Sequence, residues 1–224
     1  MNVKHHLDEA TLVSYAAGSM SQAMALVVAC HIAMCPKCRE RVKDSEAIGG
    51  MLLEGLQPAA IKGDALDSVL AALDDEPSVN AAIAPTEIHR DRAVSARSVP
   101  APLQDYIGGS LDTVEWRTIV PGVYYHDLPC KSERGGVSRL LRIAPGKAML
   151  PHSHDGNELT LILQGSFSDE VGRFTAGDIA DLDGDIEHQP LVDSEVDCIC
   201  LIATEAPLKF STLLGKIVQP ITGF

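Results

Sequence analysis

Two imidazoles and a carboxylate, in the pattern Gly146-x5-His152-x-His154-x3-Glu158-x6-Gly165, are placed where one metal ion could meet them. Alternate residues of a β-strand face one side, so His152 and His154 share a wall, while Glu158 opens the apolar run Leu159 to Leu163 of the next strand. A third imidazole arrives later: after Gly177 and Asp178 the chain runs through Asp183, Gly184 and Asp185 to His188, at the return of the same sheet. Three neutral imidazoles and one carboxylate form a mixed N/O set that suits zinc, iron, manganese or nickel. A His-x-His pair alone is more often a surface or core pair than a ligand set, so the weight rests on the surrounding spacing.

A second group of ligand types stands in the first fifty residues, as His31-x3-Cys35-x2-Cys38. Four residues on a helix return to the same face, which points His31 toward Cys35. Cys35 and Cys38 bracket the start of a further helix, where free N–H groups and the helix dipole favour thiolate over thiol. Two thiolates and an imidazole lack one ligand for tetrahedral zinc, and His5 and His6, just upstream, are the candidates. The competing reading of Cys-x-x-Cys is a redox dithiol, which calls for a βαβ context that this segment lacks.

Both groups need elements to hold them. From Asp8 to Asp75 apolar residues recur at helical spacing, interrupted by Gly18, Pro36, Gly49-Gly50 and Gly55, and this predicts four helices. They span about Asp8 to Ala17, Ser21 to Met34, Pro36 to Glu54 and Asp64 to Asp74. Between Glu76 and Pro102 the composition shifts to Pro, Ala, Ser and scattered charge, as in a linker. Short apolar segments follow, at Val114–Val120, Leu140–Ala144, Leu159–Leu163, Ile179–Leu182, Asp197–Ala203 and Leu208–Leu213, spaced as in an antiparallel barrel. The fold expected is therefore α+β with two domains: a small helical metal-binding domain over residues 1–76, a flexible linker over 77–102 and a β-barrel over 103–224. A helical module of that size has a small core, which a structural metal would help to fold.

The chain has 224 residues and a formal net charge of -13. The charge is -5 over residues 1–76 (6 basic against 11 acidic), zero over 77–110 and -8 beyond. No part is basic, which argues against direct binding to nucleic acid and disfavours a zinc-dependent DNA-binding module. An acidic surface suits a basic protein partner. No apolar run reaches the roughly 18 residues needed to span a bilayer, and Asp8 and Glu9 break any signal-peptide pattern, so a cytoplasmic protein without membrane contact is expected. Six cysteines at 30, 35, 38, 130, 198 and 200 are too sparse and clustered for a disulfide framework.

The remaining polar candidates read as packing. Cys30 points about a third of a turn away from His31. Cys198 and Cys200 share one face of an apolar strand, where a disulfide between them is awkward. His89, His126 and Cys130 have no partners at ligand spacing, and Trp116 is expected in the barrel core. In the fourth helix Leu66, Val69, Leu70 and Leu73 fall at i, i+3, i+4 and i+7. That stripe either packs on the first three helices or faces a partner.

Both glycines of the first barrel motif, together with Glu158 and His188, fall on the spacing of a cupin barrel, although Asp183, Asp185 and Val192 replace that family's usual turn residues. With His31-x3-Cys35-x2-Cys38 and an upstream His, nearly the whole chain resembles the ChrR-type zinc-binding anti-sigma factors that carry a C-terminal cupin domain. The resemblance implies His6, His31, Cys35 and Cys38 as zinc ligands, and His6 over His5 rests on family position alone. It implies a second divalent metal at His152, His154, Glu158 and His188. It also implies a helical domain that binds an extracytoplasmic-function sigma factor in a 1:1 complex, and a cupin implicated in the response to singlet oxygen or related oxidants. The rival is an enzyme, a dioxygenase-like cupin with an accessory helical domain, since a four-ligand protein set leaves positions open on a six-coordinate metal.

Overall fold

The computed structural model describes residues 3–74, 99–130, 132, 134–184 and 186–210. Four helices open the chain, and their ends have local causes. α1 (Glu9–Ala16) begins after Asp8, whose side chain accepts the Thr11 N–H at 2.6 Å, and Glu9 adds negative charge at the positive end of the dipole. α2 (Gln22–Met34) is capped in the same way by Ser21. α3 (Pro36–Glu54) follows with a single residue between: Cys35 ends α2 and caps α3, and Pro36 takes the first helical position, where its missing N–H is not needed. α4 (Ala65–Asp74) completes the set. All four lie within a residue or so of the spans expected from apolar spacing.

A fifth helix, α5 (Ala101–Ile107), falls where the composition reads as the end of a linker. It begins after Pro100, carries Pro102 in its first turn, and stops at Gly108, whose φ of +75° is left-handed. The rest of the expected linker, His89 included, lies outside the described residues.

The strands are β1 (Arg117–Val120), β2 (Val123–Asp127), β3 (Ser138–Ile143), β4 (His152–Ser153), β5 (Glu158–Gln164), β6 (Ser166–Ser168), β7 (Arg173–Thr175), β8 (Ile179–Leu182), β9 (Leu191–Val192), β10 (Cys198–Thr204) and β11 (Lys209–Phe210). A six-stranded antiparallel sheet, ordered β1-β2-β3-β10-β5-β8, faces a three-stranded sheet β7-β6-β9 and the pair β11-β4. This is the expected antiparallel barrel. Residues 211–213 of the last expected strand lie outside the described residues. Trp116 departs from expectation: it precedes β1 and is only half-buried at the rim, packed against the helix-side cluster.

The large sheet is covered on both faces. Leu141, Ile143, Ile162, Cys198, Cys200 and Ile202 point into the barrel with Phe167 and Phe174. Leu140, Leu159, Leu161, Leu201 and Ala203 point the other way, into one buried cluster with Met24, Val27 and Val28 of α2 and Leu103 of α5. Along β5 and β10 both faces are buried, so apolar residues run nearly continuously, broken inside β5 only by Thr160. The two cysteines of β10 are buried packing residues, and burial pushes the Cys198 thiol up to about 12.

Candidate metal centres

The barrel group is assembled by backbone pairing. His152 in β4 and His188 exchange two hydrogen bonds, His152 N to His188 O at 3.2 Å and His188 N to His152 O at 3.1 Å. Glu158 enters from the first residue of β5, on the same face as the inward Ile162, and His154 from the turn between. The structure brings one ligand-type atom from each of His152, His154, Glu158 and His188 within 4.8 Å of the others, and all four side chains are buried.

Several of the polar atoms at the centre are unsatisfied, although Glu158 Oε1 accepts the Thr160 hydroxyl at 3.0 Å. Among the described residues, His154 Nε2, His188 Nε2 and Glu158 Oε2 are buried without a hydrogen bond. His154 Nε2 and Glu158 Oε2 form a buried close pair at 3.0 Å, off the alignment of an ordinary hydrogen bond. Buried polar atoms are costly when unsatisfied, and a metal ion among them would satisfy them together. Two of the three outward nitrogens are already fixed: His152 Nδ1 bonds the Leu150 carbonyl at 2.7 Å and His188 Nδ1 bonds Asp169 Oδ2 at 2.8 Å. These contacts leave the inner nitrogens of His152 and His188 with the lone pair, the outer arrangement expected of metal-ligating histidines. Burial would raise the Glu158 carboxyl, but His154, His152 and His188 outweigh it and hold it down to about 2. Burial lowers His152. The centre is thus an anionic carboxylate among imidazoles, a set of donors that could hold a cation. Asp169 was not found from sequence, since nothing in Ser168-Asp169-Glu170 marks a carboxylate whose partner is nineteen residues away.

The helical group forms where α2 meets α3. His31 Nε2 lies 3.4 Å from Cys38 Sγ, and His6 Nδ1 lies 3.4 Å from Cys35 Sγ and 3.6 Å from Cys38 Sγ. The four ligand-type atoms again fall within 4.8 Å. His5, the other candidate, is turned away, with its ring 4.3 Å from that of Phe174 in the barrel. Burial dominates the electrostatics here. It lowers His31 to about 4 and so keeps its imidazole neutral and able to donate a lone pair. It also pushes the Cys38 thiol up to about 11, against the expectation that the helix N-terminus favours thiolate. Desolvation of the buried sulfur is the largest cause, and a cation among the sulfurs would favour the thiolate. The geometry and donor types fit a tetrahedral ion.

Among the described residues the other cysteines and histidines stay apart from both groups. Cys30 is buried core, Cys130 is half-buried, and His126 bonds the Glu115 carbonyl. Residues 105–207 match the family model described as the ChrR Cupin-like domain. Over 220 residues the chain is 45% identical to the anti-sigma-E factor ChrR of Cereibacter sphaeroides, covering 98% of each protein. A solved structure of Rhodobacter sphaeroides SigE in complex with the anti-sigma ChrR contains a chain 43% identical to this one, with a TM-score of 0.75, covering 91% of this chain and 99% of that one.

Proposed function

The chain belongs to the ChrR family of anti-sigma factors, and from that membership we propose that its helical part binds an extracytoplasmic-function sigma factor 1:1 and withholds it from RNA polymerase. The observation that carries the reading beyond membership is α4. Every described side chain from Leu66 to Leu73 is exposed, and Leu66, Val69, Leu70 and Leu73 form one apolar stripe. Ile48, Met51 and Leu52 near the end of α3 are exposed as well. An apolar stripe of this kind marks a protein interface, and the acidic balance of the helices suits a basic partner.

In this reading His6, His31, Cys35 and Cys38 hold zinc, which ties the N-terminal segment to the junction of α2 and α3. His152, His154, Glu158 and His188 hold a divalent metal, zinc, iron, manganese or nickel, and the barrel serves the response to singlet oxygen or a related oxidant. We assign residues 1–76 to the anti-sigma part, 77–102 to the linker and 103–224 to the cupin. The protein acts in the cytoplasm on a protein partner and not on nucleic acid; among the described residues no helix is long and apolar enough to cross a membrane. The test is transcription in vitro from a promoter served by such a sigma factor. Stoichiometric addition of the chain should abolish transcripts from it, and full transcription at molar excess would overturn the proposal.

A further inference from the structure

The N-terminal segment that carries His6 is held by the barrel as well as by helices. Asp178 sits in the tight turn between β7 and β8 and is fully buried. Its Oδ1 accepts the Lys4 N–H at 2.6 Å and the His5 N–H at 3.0 Å, and its Oδ2 accepts both the Thr175 N–H and the Thr175 hydroxyl at 2.9 Å. One oxygen thus closes the barrel's own turn while the other grips the two residues before His6. Three residues on, Asp181 Oδ2 accepts the Asp8 N–H at 3.0 Å. The His5 ring lies against Phe174 of β7. On the far side of the helical centre His31 Nδ1 is buried without an aligned hydrogen bond, and the neighbouring acceptor is the Gly177 carbonyl of the same turn.

We propose that the β7–β8 turn is part of the helical metal centre, with Asp178 as the positioning residue for His6 and the Gly177 carbonyl as the outer acceptor for His31. The inference rests on the reading that His6, His31, Cys35 and Cys38 hold a metal. The turn also joins the two centres. β8 pairs with β5 from Leu161↔Ile179 to Glu158↔Leu182, so a strand of about 10 Å runs from the barrel carboxylate to the residue that follows Asp178. A shift of Glu158 would be delivered along this strand to the segment bearing His6, without use of the linker.

Cobalt(II) in the full chain is the probe, because its thiolate absorption band reports only an ion bound to Cys35 and Cys38. Asp178→Asn can still close the turn through its one carbonyl oxygen but presents an amide, or nothing charged, to Lys4 and His5. Outer-sphere contacts of this kind are worth about 10- to 100-fold in metal retention. We expect the band of Asp178→Asn to decay under chelator faster than wild type by that factor, and the Lys4 and His5 amides to lose hydrogen-exchange protection. Asp181→Asn, which leaves the turn's own bonds intact, should expose the Asp8 amide and speed decay to a smaller degree, and it decides the matter if the first variant does not fold. Unchanged decay and unchanged exchange in a folded variant, with the wild-type band present, would overturn the inference. Absence of any thiolate band in the wild type would instead overturn the metal reading beneath it.

Discussion

Leu70 and Leu73 of α4 offer a sharp separation of binding from folding. Both are exposed in the free chain, at 49% and 67% of their surface. Full burial of a leucine side chain is worth about 1.5–3 kcal/mol, so the half to two-thirds still open to water is worth about 1–1.5 kcal/mol per residue once a partner covers it. That corresponds to roughly a tenfold weakening of Kd for Leu70→Ala and again for Leu73→Ala. Alanine is at least as good a helix former as leucine, and neither side chain is buried now, so stability should stay within about 0.5 kcal/mol of wild type. Titration of a labelled sigma factor with each variant measures the first quantity and thermal melting the second. Unchanged Kd in both variants, with unchanged melting, would remove α4 from the interface.

Three further outcomes follow from other parts of the structure. His152→Ala, Glu158→Ala or His188→Ala should leave resting inhibition intact yet blunt release of the sigma factor under singlet oxygen, and a reporter gene that induces as fully as wild type would make the barrel metal purely structural. Leu201→Ala empties a fully buried position shared by β10 and α2 and should cost about 2–5 kcal/mol; exchange of α2 amides should rise with that of the barrel, whereas protection of α2 at the wild-type level would separate the two cores. In chelator-treated protein, His31 is buried neutral with its pKa lowered from 6.5 to about 4. The unfolded chain therefore binds the extra proton between those values, and this part of the stability is full above about pH 6.5 and is lost as pH falls toward 4. Urea titrations of wild type and His31→Leu should diverge over that range, and parallel pH profiles would contradict the buried neutral imidazole.

Local chemistry was the legible part of this sequence. Asp8, Ser21, Pro36 and the apolar spacing between them define helices to within a residue or so, because caps and periodicity act over a few positions. Ile179–Leu182 was read at its observed ends for the same reason. The two ligand groups were legible because metal chemistry demands fixed residue types at short spacing. What lay beyond reach depends on pairs far apart in the chain: Asp178 with Lys4 and His5, Asp169 with His188, and the face of the large sheet that receives α2. The nearly continuous apolar runs of β5 and β10 do carry that last signal, since a barrel strand with one wet face would alternate. Cys38 shows the other limit, where a rule about helix ends yields to burial that only the tertiary structure reveals.

Capture of a sigma factor by a zinc-bearing helical part is measured by co-purification combined with metal analysis. The full chain isolated from cells together with an extracytoplasmic-function sigma factor should give a 1:1 complex, and Cys35→Ser or Cys38→Ser should lose zinc and the partner together. Recovery of the sigma factor at full stoichiometry with zinc-free variants, or of wild-type chain bearing zinc but no sigma factor, would contradict the account.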